Sequence, residues 1–221
     1  TKQFTNQMIR FEKSFGKHKV NALGAYEYTR HFYESTSAEG RGIQPGREIL
    51  DVTTGIKSIG GYKDAIATQS ALFNANYDYD NRYMGQVSYR MDESSCFGKN
   101  NRMGHFFTVS GGWNIQNETF FESLRESVNQ LKVRVSYGSL GNTPGAYYGH
   151  YPLYSSMMYN DEVAYFPSQM GNADLSWEKC YTTNIGIDAR FFDRFGVTID
   201  LYNKNTSDLL YYPPLPNISG Y

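Results

Sequence analysis

The 221-residue chain has an aromatic share of 16%, 21 glycines and only 19% charged residues, a composition that favours β-structure with many turns over a bundle of helices. The formal net charge of −1 provides no basic excess for holding a phosphate backbone, which argues against nucleic acid as a partner. No apolar run approaches the roughly 18–20 residues that a transmembrane helix needs.

Strict alternation of apolar and polar residues recurs along the chain and predicts β-strands with two different faces. In one of these strands, Val87 and Tyr89 alternate with Gln86, Ser88 and Arg90. The pattern predicts antiparallel strands at about eight places, in chain order 3–14, 19–32, 71–78, 83–91, 104–115, 131–137, 181–191 and 197–201.

The connections between these strands alternate between short and long. Short turns are predicted at SFGKHK, DYDN and FFDRFG, and long polar connections at 34–64, 92–102, 139–176 and after Asn205. A meander with short turns at one end and long loops at the other is typical of outer-membrane barrels. The sequence therefore predicts an all-β, antiparallel, up-and-down transmembrane barrel wall.

One short-side connection, 117–132, carries a helical signal. Thr119 and Glu122 have the spacing of a capping box, and apolar residues follow at roughly helical intervals. We expect one short amphipathic helix there, packed on the rim of the barrel, with the apolar residues Phe120, Phe121, Leu124, Val128 and Leu131.

Strand length and the position of the aromatics favour a barrel in lipid over a soluble sandwich. A tilted strand needs about 9–11 residues to cross the hydrocarbon layer, which several predicted strands supply. Aromatic side chains gather at strand ends, where headgroups would lie. The polar face carries ionisable residues that need water or a partner. The aromatics are Tyr77, Tyr79, Tyr83, Phe106, Phe107, Tyr181, Phe191, Phe192, Tyr211 and Tyr212, and the ionisable residues are Asp78, Arg90, Arg134, Asp188, Arg190 and Asp200.

Other classes find less support in the residues. The four histidines, His18, His31, His105 and His150, are scattered, and no hydrolase, phosphate-loop or zinc-protease motif is present, which argues against an enzyme. Cys96 and Cys180 show no metal-ligand spacing, so we expect unrelated thiols and no metal site. A soluble glycan-binding β-sandwich stays open as the alternative, because its strands also alternate.

Four blocks of sequence resemble SusC/RagA-type TonB-linked outer-membrane transporters. The first is YRMDESSCFGKNNRMGHFFTVSGGWNI, which is similar to a family segment of strand, polar loop with FG and NNR, and a strand ending in Gly-Trp. The others follow in the family's order over roughly residues 80–221. They are LKVRVSYGSLGNTPG, GNADLSWEKCYTTNIGID and DLYNKNTSDLLYYPPLPNISGY.

This resemblance implies a fold and a role for the parent protein. The expected fold is about eight strands of a barrel of about 22 strands, so that residues 1–221 form part of its wall and the plug domain and TonB box are absent. The expected role is nutrient import across the bacterial outer membrane, without catalysis or a cofactor. The implied partners are a SusD-like surface lipoprotein, TonB through the missing N-terminal region, outer-membrane lipid, and an oligosaccharide or peptide ligand.

The tyrosine-rich segment 147–166 is the place where we expect ligand contact. Its rings offer flat apolar faces with polar tips, which suit sugar rings, and its polar residues offer hydrogen-bond acceptors. Packing of the same rings against neighbouring loops or the lipoprotein is the alternative. The candidates are Tyr147, Tyr148, Tyr151, Tyr154, Tyr159, Tyr165, Asn160 and Asp161.

Overall fold

The computed structural model describes residues 1–47, 49–55, 58–211, 213, 214, 216 and 218. Within them, short 3-10 helices lie at Leu50–Val52, Ile115–Asn117 and Thr119–Leu124. None of the helices in the described part of the chain is long and apolar enough to cross a bilayer. The strands are β1 (Lys2–Phe15), β2 (His18–Glu39), β3 (Ser58–Tyr79), β4 (Tyr83–Ser94), β5 (Met103–Asn114), β6 (Val128–Asn142), β7 (Leu153–Tyr159), β8 (Glu162–Gln169), β9 (Glu178–Phe191) and β10 (Phe195–Ser207).

Eight strands form one open antiparallel sheet, and all eight predicted strands are found in it. The order in the sheet is β1-β2-β3-β4-β5-β6-β9-β10, so each strand pairs with the next along the chain except where the separate hairpin β7-β8 interrupts. The short turns at Gly16, at Asp80 and Asn81, and at Phe192 and Asp193 adopt positive φ, as tight turns require. The predicted up-and-down barrel wall is confirmed, as a partial and unclosed sheet.

The apolar face of this sheet is not covered by a second layer of the described residues. Phe73, Val87 and Ile185, all in the middle of the outward face, are 48–50% exposed. A β-sandwich would bury these side chains against a facing sheet. The sandwich alternative is therefore wrong, and the outward face has the exposure expected of a surface that meets lipid.

A continuous row of aromatic rings marks the short-turn end of the outward face. Neighbouring centroids along the row lie 5.0–6.4 Å apart, from Phe15 through His18, Tyr79 and Tyr83 to Trp113. Such a row matches the aromatic girdle that flanks the apolar band of membrane barrels. Tyr211 is largely exposed, and the predicted girdle residue Tyr212 lies outside the described residues.

The apolar belt extends from this row along the outward face. In β4 it comprises the alternate positions from Tyr83 to Met91, and in β3 those from Tyr79 to Ala71. The next outward positions, Glu93 and Gln69, are polar and face each other in the register. The belt is thus about nine residues of strand in height, which is close to the 9–11 residues that a tilted strand needs to cross hydrocarbon.

The helix predicted at 117–132 is wrong in type and length. Only Thr119–Leu124 forms a helix, of 3-10 type, and Thr119 lies inside it while Glu118 takes the N-cap position without a side-chain cap hydrogen bond. Val128 and Leu131 belong to β6, where they pair with Phe191 and Ala189 of β9. Backbone pairing with β9 overrides the helical spacing of these residues. Phe121 is the one apolar residue of this helix that is buried.

Two long connections contain more strand than the sequence predicts. Residues 34–39 and 58–64 of the first connection are strand, because β2 and β3 form an unbroken ladder from His18 opposite Tyr79 to Glu39 opposite Ser58. β2 ends at Glu39 and β3 begins at Ser58, so the connection between them is much shorter than predicted. The connection 139–176 likewise contains the end of β6 and the hairpin β7-β8. Both segments are polar and lack clear alternation, so the sequence did not predict these strands, which lie beyond the apolar belt.

Candidate functional site

The inward face of the sheet is lined by polar side chains in register. One row of directly paired residues crosses seven strands without an apolar member. The row faces an open groove with a volume of about 520 Å³. This arrangement agrees with the predicted wet face and provides hydrogen-bonding groups along the lumen. Its members are Glu12, Asn21, Asn76, Gln86, Ser110, Ser136 and Asn184.

Three of the predicted ionisable residues of the inward face, Arg134, Asp188 and Asp200, pair with each other, and Arg90 pairs with other carboxylates. Arg134 of β6 forms a bidentate pair with Asp188 of β9, with Nε–Oδ2 and Nη2–Oδ1 distances of 2.7 and 3.1 Å. On β4, Arg90 binds Asp92 at 2.7 Å and lies 3.5 Å from Glu27 of β2. Because each guanidinium has a carboxylate partner, these groups can lie in the lumen wall without an isolated buried charge.

At the long-loop end, the connection after β4 and the connection before β9 meet on β5 in a small core that we call the loop junction, made of Phe97, Phe106, Trp177 and Leu175. Phe97 is fully buried, and Phe106 and Trp177 are 4% and 7% exposed. Phe106 is in phase along β5 with Thr108 and the lumen residue Ser110, so its ring lies on the inward face. The loops therefore fold inward over the mouth of the lumen.

Hydrogen bonds fix the geometry of the loop junction. The indole N–H of Trp177 donates to the carbonyl of Arg102 at 2.9 Å, and Arg102 Nε donates to the carbonyl of Phe97 at 3.3 Å. Gly141 is required beneath this core, because a Cβ there would overlap the Phe106 ring. The residues that carry the family resemblance, FG, NNR and D-L-x-W, are thus the residues that hold the loops together.

Cys96 and His150 extend the loop junction toward the tyrosine-rich connection. Cys96 is fully buried, and its burial raises the pKa of the thiol, which makes it an unreactive packing residue. His150 is also buried, with Nδ1 at 3.0 Å from the carbonyl oxygen of Cys96. Cys96 and Cys180 are both free thiols.

Tyr148 ties the same connection to the edge of β3. Its hydroxyl oxygen accepts a hydrogen bond from the amide of Ala65 at 3.0 Å, just beyond the point where β4 ends. Ser95 binds both backbone groups of Ala67. Its Oγ accepts a hydrogen bond from the Ala67 amide, and its own amide donates to the Ala67 carbonyl. Tyr148 and Ser95 therefore provide hydrogen-bond partners for backbone groups of β3 that would otherwise be unpaired at the strand edge.

The structure distributes the other tyrosine candidates over the hairpin rather than gathering them in one pocket. Tyr154 and Tyr165 share one face of the hairpin by register, while Tyr159 lies on the other face. All three are 66–75% exposed. Asn160 and Asp161 form the tight turn at the tip, with φ of 51° and 62°.

The remaining candidates lie near the base of the hairpin. Tyr151 is about half exposed, and its ring centroid lies 4.0 Å from that of His150, whereas Tyr147 is half-buried. Gln169 Nε2 donates to the carbonyls of Tyr148 and Tyr151, each at 2.9 Å, and so closes the base. Ligand contact by these tyrosines stays a prediction.

Sequence reasoning missed two aromatic residues at the mouth, Tyr33 and Tyr62, because the predicted strand ended at residue 32 and the segment 34–64 was predicted to be a loop. They stack on each other on the ladder of β2 and β3. The run AYEYTRHFYEST, rich in aromatic and β-branched residues, was the signal that strand β2 continues past residue 32.

At the short-turn end, the buried carboxylate of Glu118 binds side chains from two connections. It is 7% exposed, accepts a hydrogen bond from the Trp113 indole N–H at 3.0 Å, and lies 3.5 Å from the Arg82 guanidinium. A hydrogen bond from the Tyr83 hydroxyl, followed by the bond from Trp113, lowers the pKa of Glu118. The cluster joins the turn after β3 to the connection after β5.

These features together define a wall section of an outer-membrane β-barrel. A family model described as TonB dependent receptor-like, beta-barrel matches residues 2–221. The chain therefore belongs to this family, and it lies in the outer membrane.

Similar proteins carry related names. The chain is 33% identical to TonB-dependent receptor P39 of Formosa agariphila over 99% of its own length and 22% of that protein. It is 30% identical to TonB-dependent receptor SusC of Bacteroides thetaiotaomicron over 96% of its length and 22% of that protein. The solved RagAB peptide transporter matches with a TM-score of 0.92 at 29% identity, over the whole chain and 25% of that structure. The chain spans about a quarter of the length of these relatives.

Proposed function

We propose that the chain is one section of the barrel wall of a TonB-dependent transporter that imports oligosaccharides across the outer membrane. The observation that carries this proposal is the match to the receptor barrel family over residues 2–221, on a sheet whose outward face is apolar and exposed. In this proposal the rest of the barrel, the plug domain and the TonB-contacting segment belong to other parts of a longer protein.

The geometry supports transport through a passive wall. The outward belt meets lipid, the inward polar row lines the route, and the loop junction narrows the mouth on the outer side. Nothing in this division of roles requires bond-making chemistry, so we propose a transporter and not an enzyme. The substrate is an oligosaccharide in this proposal, and a peptide is the second candidate because the RagAB relative is described as a peptide transporter.

The proposed partners follow from the position of the loops. A SusD-like surface lipoprotein would cover the mouth, where the hairpin β7-β8 presents exposed apolar side chains such as Met158 and Tyr159. A two-stranded hairpin is only marginally stable alone in water, so a covering protein would stabilise it. TonB would supply the energy that moves the ligand from the mouth through the lumen.

We assign ligand contact on the hairpin to Tyr154, Tyr159 and Tyr165, because their rings are exposed and hold no part of the fold. Replacing any of them with alanine should weaken ligand binding several-fold and leave stability unchanged. Tyr148→Phe should do the reverse, since it removes only the hydroxyl that binds Ala65, a loss of about 0.5–1.5 kcal/mol. Binding calorimetry and thermal unfolding of the complete protein would separate the two groups. Equal loss of stability in both groups would refute the assignment.

Deletion of the gene in the native host tests the import function directly. The deletion strain should lose growth on the oligosaccharide substrate as sole carbon source and keep normal growth on glucose. A copy of the gene on a plasmid should restore growth, and the same copy in a strain that lacks TonB should not. Unchanged uptake of both oligosaccharides and peptides in the deletion strain would refute the proposal.

A further inference from the structure

A pair of stacked tyrosines stands on the ladder of β2 and β3, beyond the apolar belt. The ring centroids of Tyr33 and Tyr62 lie 5.4 Å apart with an interplanar angle of 26°. The two residues are 47% and 54% exposed, so a large part of each ring is open to solvent. Each ring packs against the other and keeps part of its aromatic surface open to solvent.

Both rings lie on the inward side of the wall. The ladder between β2 and β3 has no register shift over its whole length, so alternation is preserved from the belt to its tip. Tyr33 is in phase with the lumen residue Asn21, and Tyr62 with Asn76. Tyr62 lies about nine residues beyond Ala71, or roughly 30 Å of strand past the upper end of the belt. The pair therefore stands above the membrane and faces the axis of the lumen.

A carboxylate without a partner lies beside the rings. Asp64 is directly opposite Tyr33 in the register, and Ser35 is opposite Tyr62. Asp64 is half-buried, and its carboxylate makes no hydrogen bond or ion pair with any residue in the described ranges, unlike the paired carboxylates of the lumen wall. An acceptor of this kind, next to an aromatic surface, can bind a hydroxyl donor.

The nearest charges do not favour an anionic ligand. Lys63 and Glu34 alternate with Asp64 and Tyr33, so they lie on the opposite face of the ladder. They pair with each other at 2.9 Å. Among the described residues of the ladder, the inward face around Tyr33 and Tyr62 offers aromatic rings, a hydroxyl and one carboxylate, with no cation that would attract an anionic solute. This chemistry favours a neutral polyhydroxylated ligand.

We propose that Tyr33, Tyr62 and Asp64 form a contact site for a neutral oligosaccharide at the mouth of the barrel. A pyranose ring packs its apolar face on the open tyrosine surface, and its hydroxyls donate to the Asp64 carboxylate. This inference rests on the proposed import function and specifies residues that bind its substrate before it enters the lumen.

The position of the site relative to the hairpin supports this role. Tyr148, at the base of the connection that carries the exposed tyrosines, binds the amide of Ala65, the residue next to Asp64. The hydrogen bond holds that connection beside the ladder. An oligosaccharide at the mouth can therefore contact the ladder at one side and the hairpin at the other.

The test measures binding of defined sugars to the purified complete protein. Isothermal titration calorimetry with maltoheptaose, cellohexaose and xylohexaose should identify at least one that binds the wild type. Tyr62→Ala and Tyr33→Ala should raise its Kd about tenfold, whereas Tyr62→Phe should keep the wild-type Kd because the ring is retained. Asp64→Asn should weaken binding severalfold. Phe32→Ala is the matched control, since Phe32 neighbours Tyr33 on the opposite face of β2.

The possible results separate this site from the import function. Unchanged sugar affinity in both tyrosine variants would overturn the site, and so would an equal loss in Phe32→Ala. Binding of a tryptic casein digest, with no binding of any of the three sugars, would overturn the carbohydrate class. In each of these cases, loss of uptake on gene deletion would still support import. The heat-dependent gel mobility of each variant verifies that its barrel is folded, and Tyr62→Phe and Asp64→Asn provide variants with nearly unchanged side-chain volume.

Discussion

Arg134 on β6 contacts Asp200 on β10 by crossing over Gly186 of the strand between them. Both residues pair with Gly186 in the register, and Nη2 of Arg134 lies 3.2 Å from Oδ1 of Asp200. A Cβ at position 186 would lie 2.5 Å from that carboxylate oxygen and 2.8 Å from the same Nη2. The glycine therefore makes room for an ion pair that joins three neighbouring strands.

Gly186→Ala should destabilise the barrel wall. The added methyl group must displace the guanidinium or the carboxylate, an overpacking cost of about 1–3 kcal/mol. Urea unfolding of the complete protein in lipid vesicles would measure the loss. Gly85→Ala is the matched control, because a Cβ there meets nothing within 4 Å. Equal effects of the two substitutions would contradict the role assigned to Gly186.

Val87→Arg should reduce the stability of the protein in lipid. Val87 is 48% exposed in the middle of the apolar belt, where it pairs with Val109, and an arginine at mid-depth of a barrel's lipid face costs about 2–4 kcal/mol. Ser88→Arg, one residue along on the inward face, should cost much less because that face is wet. Folding yield in vesicles, scored by gel mobility, compares the two variants. A greater loss for Ser88→Arg would reverse the assignment of the faces.

Trp177→Ala should loosen the mouth without unfolding the barrel. Removal of a buried tryptophan from the loop junction costs about 3–5 kcal/mol, and that cost falls on the loops. Limited proteolysis of the complete protein should then cut the connection 143–176 faster than in the wild type. The control Phe120→Ala removes a ring that is 66% exposed and should leave the cleavage rate unchanged. Cleavage of Trp177→Ala at the wild-type rate would contradict a structural role for the junction.

Glu118→Gln should destabilise the protein at neutral pH and have less effect in acid. The folded state lowers the pKa of Glu118, chiefly through the Tyr83 hydroxyl, so the ionised carboxylate contributes stability above its unfolded value near 4.5. That contribution is lost as the pH falls through the lower folded pKa. Unfolding midpoints of wild type and variant at neutral pH and near pH 3 should therefore converge in acid. Glu122→Gln, in the same connection, is the control. A constant difference across this range would contradict the prediction.

The strands of the belt were predictable because lipid on one face and water on the other require apolar and polar residues to alternate. Residues such as Val87 and Gln86 alternate because lipid lies on one side and water on the other. Beyond the belt water lies on both sides, so alternation disappears from the sequence even where the ladder continues. The upper halves of β2 and β3 and the hairpin β7-β8 were missed for this reason.

The sequence predicted which residue types lie at the candidate site, but it did not predict which of them contact each other. Tyr154 and Tyr165 lie on an exposed hairpin as a ligand-contact role would need, but Tyr148 serves the backbone of β3 instead. No local pattern reveals that Phe97 and Trp177, far apart in the chain, meet on Phe106. The false helix at 117–132 has the same origin, because Leu131 is extended only through its pairing with a strand that comes much later in the sequence.

The long ladder of β2 and β3 has a consequence for the cell surface. It raises residues 40–47 and 49–55 above the lipid on a hydrogen-bonded support, where an antibody or a bacteriophage can reach them. Substitutions at this tip leave the strand pairing of the barrel untouched. The tip is therefore free to diverge under immune or viral selection while transport through the pore continues.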